Sequence, residues 1–397
     1  MKKLISSTMV LLLAAVFSVN SWGADGDLFI QVDLPGLNPE GCSIMKVTPE
    51  GVISQFISNA QILAVTGDTE ADCDDTGLAV GLNGKVYFNE DEEDNILVAT
   101  PSGQLSIFIT DTVVDSIVPG DNDVDWDNGL AISPGNGNLF AADEDNEIIF
   151  EFPTNVPTPI TDTSLIKILA DKADFQQLVT TVDLEGGIAV DFANNVYITN
   201  DDNDNDLDNV IFKLTRSGDL SILCTQDELL AAAGVGQIDL DVGAVFGGKL
   251  YVADDGNCDC VFEIDTETCD PVVIVEEDDI TAATGNPGAN LEGGLCIDAQ
   301  RNLYMGDDGS SQPNIVRSPF DARSNVSLFV SDFEIDSFYS SVEPGSNPQL
   351  RGSCSVEGGF DPGARPIPTL SEWGLIAMAL VLGIVGFIAV RRRMVKA

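Results

Sequence analysis

Two series of oxygen-bearing side chains recur along the 397-residue chain at spacings that would gather them into rings if the segments carrying them are equivalent. Asp75, Asp127, Glu185, Asp241, Glu292 and Glu357 each stand two positions before a glycine that opens a short apolar run. Glu90, Asp143, Asn200, Asp254 and Asp307 each stand three positions after an aromatic, namely Tyr87, Phe140, Tyr197, Tyr251 and Tyr304. Phe29 begins the second series, but Val32 takes the acid's place and Asp33 follows it. Carboxylates brought close repel one another unless protonated or bridged by a cation. Calcium, a hard ion taking six to eight oxygen ligands, suits such a set. The competing reading is structural, with each acid accepting hydrogen bonds from nearby backbone N–H groups. Two alternating runs, Asp121, Asp123, Asp125, Asp127 and Asp202, Asp204, Asp206, Asp208, lack the glycine and terminal Glu of an EF-hand loop and read as solvated loops. Trp126, the only tryptophan between positions 24 and 366, is a candidate platform for a sugar ring or a side chain packed on the neighbouring repeat.

These residues are placed by a repeat. Segments beginning at Gly77, Gly129, Gly187, Gly243 and Gly294 each give an apolar strand, a Gly/Asn turn and a second strand with one aromatic. From Phe29 the aromatics are 58, 53, 57, 54 and 53 residues apart. A third strand (SIMKV, NILVA, EIIFEF, VIFKL, VFEID, NIVRS) and a fourth (GVISQFIS, GQLSIFIT, GDLSILCT, NVSLFVS) follow. Four short strands per unit of this length predict an all-β fold, a six-bladed β-propeller. The first unit lacks its own innermost strand, so closure by a C-terminal strand within Val356–Asp361 is expected, which leaves no open sheet edge. The repeat aromatics are expected in the core between blades.

Basic residues number only 12 against 64 acids between positions 24 and 366, a formal charge of −52. Such a field attracts cations and repels nucleic acid and anionic lipid. All eight cysteines lie in that body, which favours disulfides. One bridge, from Cys258 or Cys260 to Cys269 across a predicted hairpin, is expected locally. The chain contains no histidine, which excludes a Ser-His-Asp triad and weakens a zinc reading.

Both ends carry targeting signals. Residues 1–23 read as a signal peptide, with Lys2 and Lys3 before an apolar stretch and small residues at its end. The propeller is expected over 24–361, a spacer over 362–366 and a tail over 367–397. Within the tail, 373–390 is uncharged and is followed by Arg391, Arg392 and Arg393, so one C-terminal transmembrane helix is expected with everything before it outside the cytoplasm.

The blades LEGGLCIDAQRNLYMGD and LEGGIAVDFANNVYITND resemble six-bladed propellers of the NHL and SMP-30/gluconolactonase type. Ile367, Pro368, Thr369, Leu370, Trp373 and Gly374 in IPTLSEWG, with the apolar run and arginines, resemble the IPTL-CTERM sorting signal of Gram-negative bacteria. That resemblance implies handling by an exosortase-like protease, an inner-membrane intermediate and delivery to the cell envelope or surface. Two functions follow as expectations. One is a calcium-associated binding protein for a glycan or protein ligand. The other is a lactonase-like, metal-dependent hydrolase, for which the resemblance implies a divalent ion held by side chains of the types of Glu357, Asn200 and Asp254.

Overall fold

Runs of three to seven residues rich in Val, Ile, Leu and aromatics, each ended by Gly, Asn or Asp turns, cannot bury both faces alone and pair with their neighbours in sequence. In the computed structural model, which describes residues 26–73, 77–90, 94–118, 124–126, 129–184, 186–201, 209–291, 294–309, 312–319, 325–350 and 354–356, they form six four-stranded antiparallel sheets. The chain divides after Phe360, and the sheets all belong to the first unit.

In blades two to six the strands run outward in sequence order, and in blade one the last strand of the sheet in sequence is the innermost. The innermost strands are Leu78–Val80, Leu130–Ile132, Ile188–Val190, Leu240–Phe246, Leu295–Ile297 and, for blade one, Cys354–Val356. They touch one another in a closed cycle, the last contacting both Leu295–Ile297 and Leu78–Val80. Crowding near the axis explains the glycines that open them: a Cβ on Gly77 would stand 2.7 Å from the Leu130 nitrogen of the next blade.

Closure occurs as expected in kind, but earlier in the chain. Leu28, Phe29 and Ile30 pair with Val356, Ser355 and Cys354. Ser355 therefore faces Phe29 as Ala79 faces Tyr87 and Ala189 faces Tyr197. The Glu-Gly-Gly wording from Glu357 comes after this strand rather than opening it, and a disulfide joins Cys354 to Cys296 in the adjacent innermost strand of blade six.

The repeat aromatics lie in the core, Phe29, Tyr87, Phe140, Tyr197, Tyr251 and Tyr304 all being buried. A feature absent from the sequence reading is a short helix after each outermost strand: Asn59–Thr66, Asp111–Asp115, Lys172–Phe175, Gln226–Ala233, Glu277–Thr284 and Asp332–Val342. Each buries at least one apolar side chain, such as Ile62, Phe175 or Ile335, and most start at a capping box, Ser331 and Glu334 being one.

Four disulfides use all eight cysteines: Cys42–Cys73, Cys224–Cys269, Cys258–Cys260 and Cys296–Cys354. The expected bridge to Cys269 from its own hairpin does not form. Cys269 pairs with Asp265 beside the turn, whereas Cys260 opens the other end of that strand, opposite Asp254. Cys269 instead reaches Cys224 on the outermost strand of blade four. Among the described residues no helix is long and apolar enough to cross a membrane; the expected span 373–390 and the expected signal peptide, residues 1–23, lie outside them.

Candidate functional site

The second acid series ends the second strands. Asp143, Asn200, Asp254 and Asp307 are the last residues of Leu139–Asp143, Val196–Asn200, Lys249–Asp254 and Asn302–Asp307, and Glu90 follows Val86–Asn89. All five are fully buried. The oxygens of Asp143, Asn200, Asp254 and Asp307 turn toward the loop that enters the innermost strand of their own blade, whereas Glu90 Oε1 accepts from Asn95 Nδ2 at 3.4 Å in the loop before the third strand. Asp143 Oδ1 accepts the Asp125 N–H at 3.4 Å, Asn200 Oδ1 the Asp183 N–H at 2.9 Å, Asp254 Oδ1 the Asp239 N–H at 2.6 Å and Asp307 Oδ1 the Asn290 N–H at 3.1 Å. The following residue returns a bond to the same loop, as Glu144, Asp201, Asp255 and Asp308 donate to the carbonyls of Asp125, Asp183, Asp239 and Asn290. Blade one keeps only this backbone part: Asp33 donates to the Gln349 carbonyl at 3.0 Å, and Val32 needs no oxygen. A strand-end acceptor thus clamps the incoming loop, which is the structural reading of the repeat.

Burial has its electrostatic consequence. Taken out of water, the Asp143 carboxyl is pushed up to about 7 and that of Asp254 to about 6, the neighbouring N–H donors only partly offsetting the loss of solvent. Asp307 is raised for the same reason.

Of the first series, Asp241 lies inside the strand Leu240–Phe246, paired with Ala253, because a bulge lets that strand begin early. Asp75, Asp127, Glu185, Glu292 and Glu357 lie outside the described residues, as do the sorting-motif residues, 121–123 and 202–208. Counting in register from Ser355, as from Ala79 back to Asp75, puts Arg351 rather than Glu357 at the corresponding chain position of blade one.

Trp126 is not a sugar platform. It is fully buried, its ring 5.7 Å from Phe150 and 6.1 Å from Phe152, and its indole Nε1 donates to the Asp94 carbonyl of the preceding blade at 2.7 Å. Leu184, Leu240, Leu291 and Leu350 are buried at the same point of the other entering loops, which identifies the position as core.

The sequence reading missed the residues that join one blade to the next. They stand four positions before the third-strand residue that faces the repeat aromatic. Cys42 there is disulfide-linked to Cys73, and the Asp94 carbonyl holds Trp126. Glu147 Oε2 accepts the Leu184 N–H at 3.1 Å, and Asn209 Nδ2 donates to the Ile238 carbonyl at 2.8 Å. Burial pushes Glu147 up to about 8 despite Lys172 3.6 Å away. The blade five counterpart, Asp259, has a left-handed backbone (φ 43°) and no hydrogen bond to blade six among the described residues. Burial and then the charges of Glu277, Asp254 and Asp307 push it up to about 7. Across that junction Asp307 Oδ2 is buried and, among the described residues, has no hydrogen-bond partner beyond the Asn314 amide beside that carboxyl. A cavity of about 180 Å³ lies elsewhere, lined by the strand residues Glu151 and Lys167 of blade three and the turn residues Asn194 and Arg216 of blade four.

Residues 365–392 match the family described as the IPTL-CTERM motif. The chain carries an IPTL-CTERM sorting motif. A comparison with curated proteins finds no match. Among solved structures, the chain is similar to one in a nidogen/laminin complex at 14% identity and TM-score 0.52, covering 84% of this chain and 98% of that one. It is similar to virginiamycin B lyase from Staphylococcus aureus at 15% identity and TM-score 0.43, covering 72% of this chain and 77% of that one. Similarity also extends to a gluconolactonase from Xanthomonas campestris at 12% identity and TM-score 0.43, covering 69% and 84%. At these identities the likeness concerns the fold alone. The IPTL-CTERM motif accompanies a six-bladed propeller, and its presence associates the chain with export and the cell envelope.

Proposed function

We propose that this chain is a binding propeller exported behind its signal peptide, held by a short transmembrane helix at 373–390 and passed by an exosortase-like protease to the cell envelope or surface. There its acidic body carries calcium and engages a protein or glycan. The observation that carries the delivery step is the motif at 365–392, attached to a body that forms a closed ring by itself. Binding is favoured over lactonase-type hydrolysis because Asn200 and Asp254, two oxygens the hydrolase would need for its metal, are buried and bonded to the loops behind them.

The calcium part of the reading narrows to one junction. Asp259 and Asp307, with Glu277 nearby, gather negative charge where the other junctions described have a bond. A hard cation would neutralise that charge and join blades five and six.

Delivery is tested by replacing Ile367, Pro368, Thr369 and Leu370 with alanine in the full chain expressed in its source bacterium. The unaltered chain is expected in surface and medium fractions with its tail removed, and the variant in the inner membrane at full mass. Identical fractionation of the two would overturn the delivery reading.

A further inference from the structure

Three of the four disulfides hold distant parts of the ring together. Cys42–Cys73 spans 31 residues into the loop entering blade two, Cys224–Cys269 spans 45 and joins outermost strands, and Cys296–Cys354 spans 58 and locks the closing strand. Each restricts a long loop of the unfolded chain. Cys258 and Cys260 are only two residues apart, so their bridge restricts almost nothing and joins no two elements.

Its position also differs. Cys258 lies in the loop between the second strand Lys249–Asp254 and the third strand Cys260–Asp265, and it alone of the eight cysteines is only partly buried, the other seven being buried. Its N–H donates to Asp254 Oδ2 at 3.0 Å, and the two sulfurs and that carboxylate lie within 4.8 Å of one another. Asp259 sits between the cysteines, with Glu277 among the charges acting on it.

We propose that the Cys258–Cys260 bridge is a thiol–disulfide exchange site that reacts with small or peptide thiols carrying no net negative charge. The entering thiolate attacks Cys258 Sγ and forms a mixed disulfide. The Cys258–Cys260 bond breaks, and its electron pair goes to Cys260 Sγ, which takes up the proton lost by the entering thiol. A second thiol attacks the mixed disulfide, leaving Cys258 as a thiol and releasing the oxidised reagent. Two thiols are thereby oxidised to one disulfide while the bridge gains two electrons and two protons; a disulfide reagent drives the reverse reaction. Access favours Cys258 as the sulfur attacked. With no cation bound, the carboxylates of Asp254, Asp259 and Glu277 repel an anionic thiolate, which sets the charge selectivity.

The test treats the full-length, folded chain with cysteamine or glutathione at matched thiolate concentration. Reaction is stopped with iodoacetamide at intervals, and labelled cysteines are located by peptide mass spectrometry. Cys258 and Cys260 are expected to be labelled about tenfold or more faster than any other pair, faster with cysteamine than with glutathione, with the difference shrinking in high salt. Simultaneous labelling of several bridges, or slower labelling here than at Cys42 and Cys73, overturns the proposal. A Cys258→Ser/Cys260→Ser chain separates exchange from stapling: its Tm is expected to stay within about 2 °C of the parent, and a fall as large as that caused by losing Cys296–Cys354 also overturns it.

Discussion

Asp143 and Asn200 hold the same place in neighbouring blades and perform the same task with different charges. Each accepts a backbone N–H from the entering loop, so the negative charge of Asp143 is not required for the clamp. Because its folded-state pKa, about 7, lies above the ordinary 3.8, the folded protein keeps this proton more tightly than the unfolded chain, and stability falls as pH rises from about 4 to about 7. Asp143→Asn is expected to remove that loss and raise stability by up to about 4 kcal/mol at pH 8 and by roughly a third of that at pH 5. Asp143→Ala also removes the titrating carboxyl but leaves the Asp125 and Asn146 N–H groups short of an acceptor, and is expected to be roughly 1–3 kcal/mol less stable than Asp143→Asn at both pH values. Urea unfolding at the two pH values checks this, and equal stability of the two variants would count against the clamp. The recurrence of the acids was legible in the sequence; their direction was not. The loop N–H each one meets lies 15 to 18 residues earlier, a separation that spacing alone does not connect. Sequence leaves Trp126 open between a sugar platform and packing on the neighbouring repeat for a related reason: its acidic flanks, Asp125 and Asp127, suggest a rim, whereas register with Leu184 and Leu291 assigns it to the core.

Among elements, the closing strand carries the most consequence for the least sequence. Cys354–Val356 is three residues long, yet it supplies the inner edge of blade one and touches the innermost strands on both sides. So short a strand has few pairing bonds, and the bridge to Cys296 compensates by limiting the unfolded chain across 58 residues. Losing it in Cys296→Ser/Cys354→Ser is expected to cost roughly 2–4 kcal/mol and lower Tm by on the order of 5–10 °C under calorimetry. An unchanged Tm would mean that the ring closes without the bridge. The strands themselves were legible because their apolar runs and aromatics repeat; third strands such as Ile148–Phe152 and Val210–Leu214 fall where EIIFEF and VIFKL predict. The closing strand was displaced because Glu357-Gly358-Gly359 imitates the opening of other blades while the pairing partner of Phe29 is Ser355. The six short helices escaped notice because they follow outermost strands whose own signal is stronger, although Ser58 with Gln61 and Ser331 with Glu334 form capping boxes.

For the molecule as a whole, a body of formal charge −52 concentrates its electrostatic cost in a few buried acids. Asp143, Asp254, Asp259 and Glu147 are all raised, to about 7, 6, 7 and 8, so without divalent ions all four make the folded state less stable as pH climbs from about 4 to 8. Net charge and repeat number were legible because they need only composition and period. Which of the many acids share a junction depends on how blades abut, and that emerges only when the ring is closed. The central claim is that one such junction, between blades five and six, is bridged by calcium. Calorimetric titration of the full-length chain with calcium at pH 7.5 tests it most directly. The expected result is one ion per chain, a raised Tm, and loss of both effects in Asp307→Asn and Asp259→Asn. Absence of binding, or calcium uptake that these substitutions leave unchanged, would contradict it.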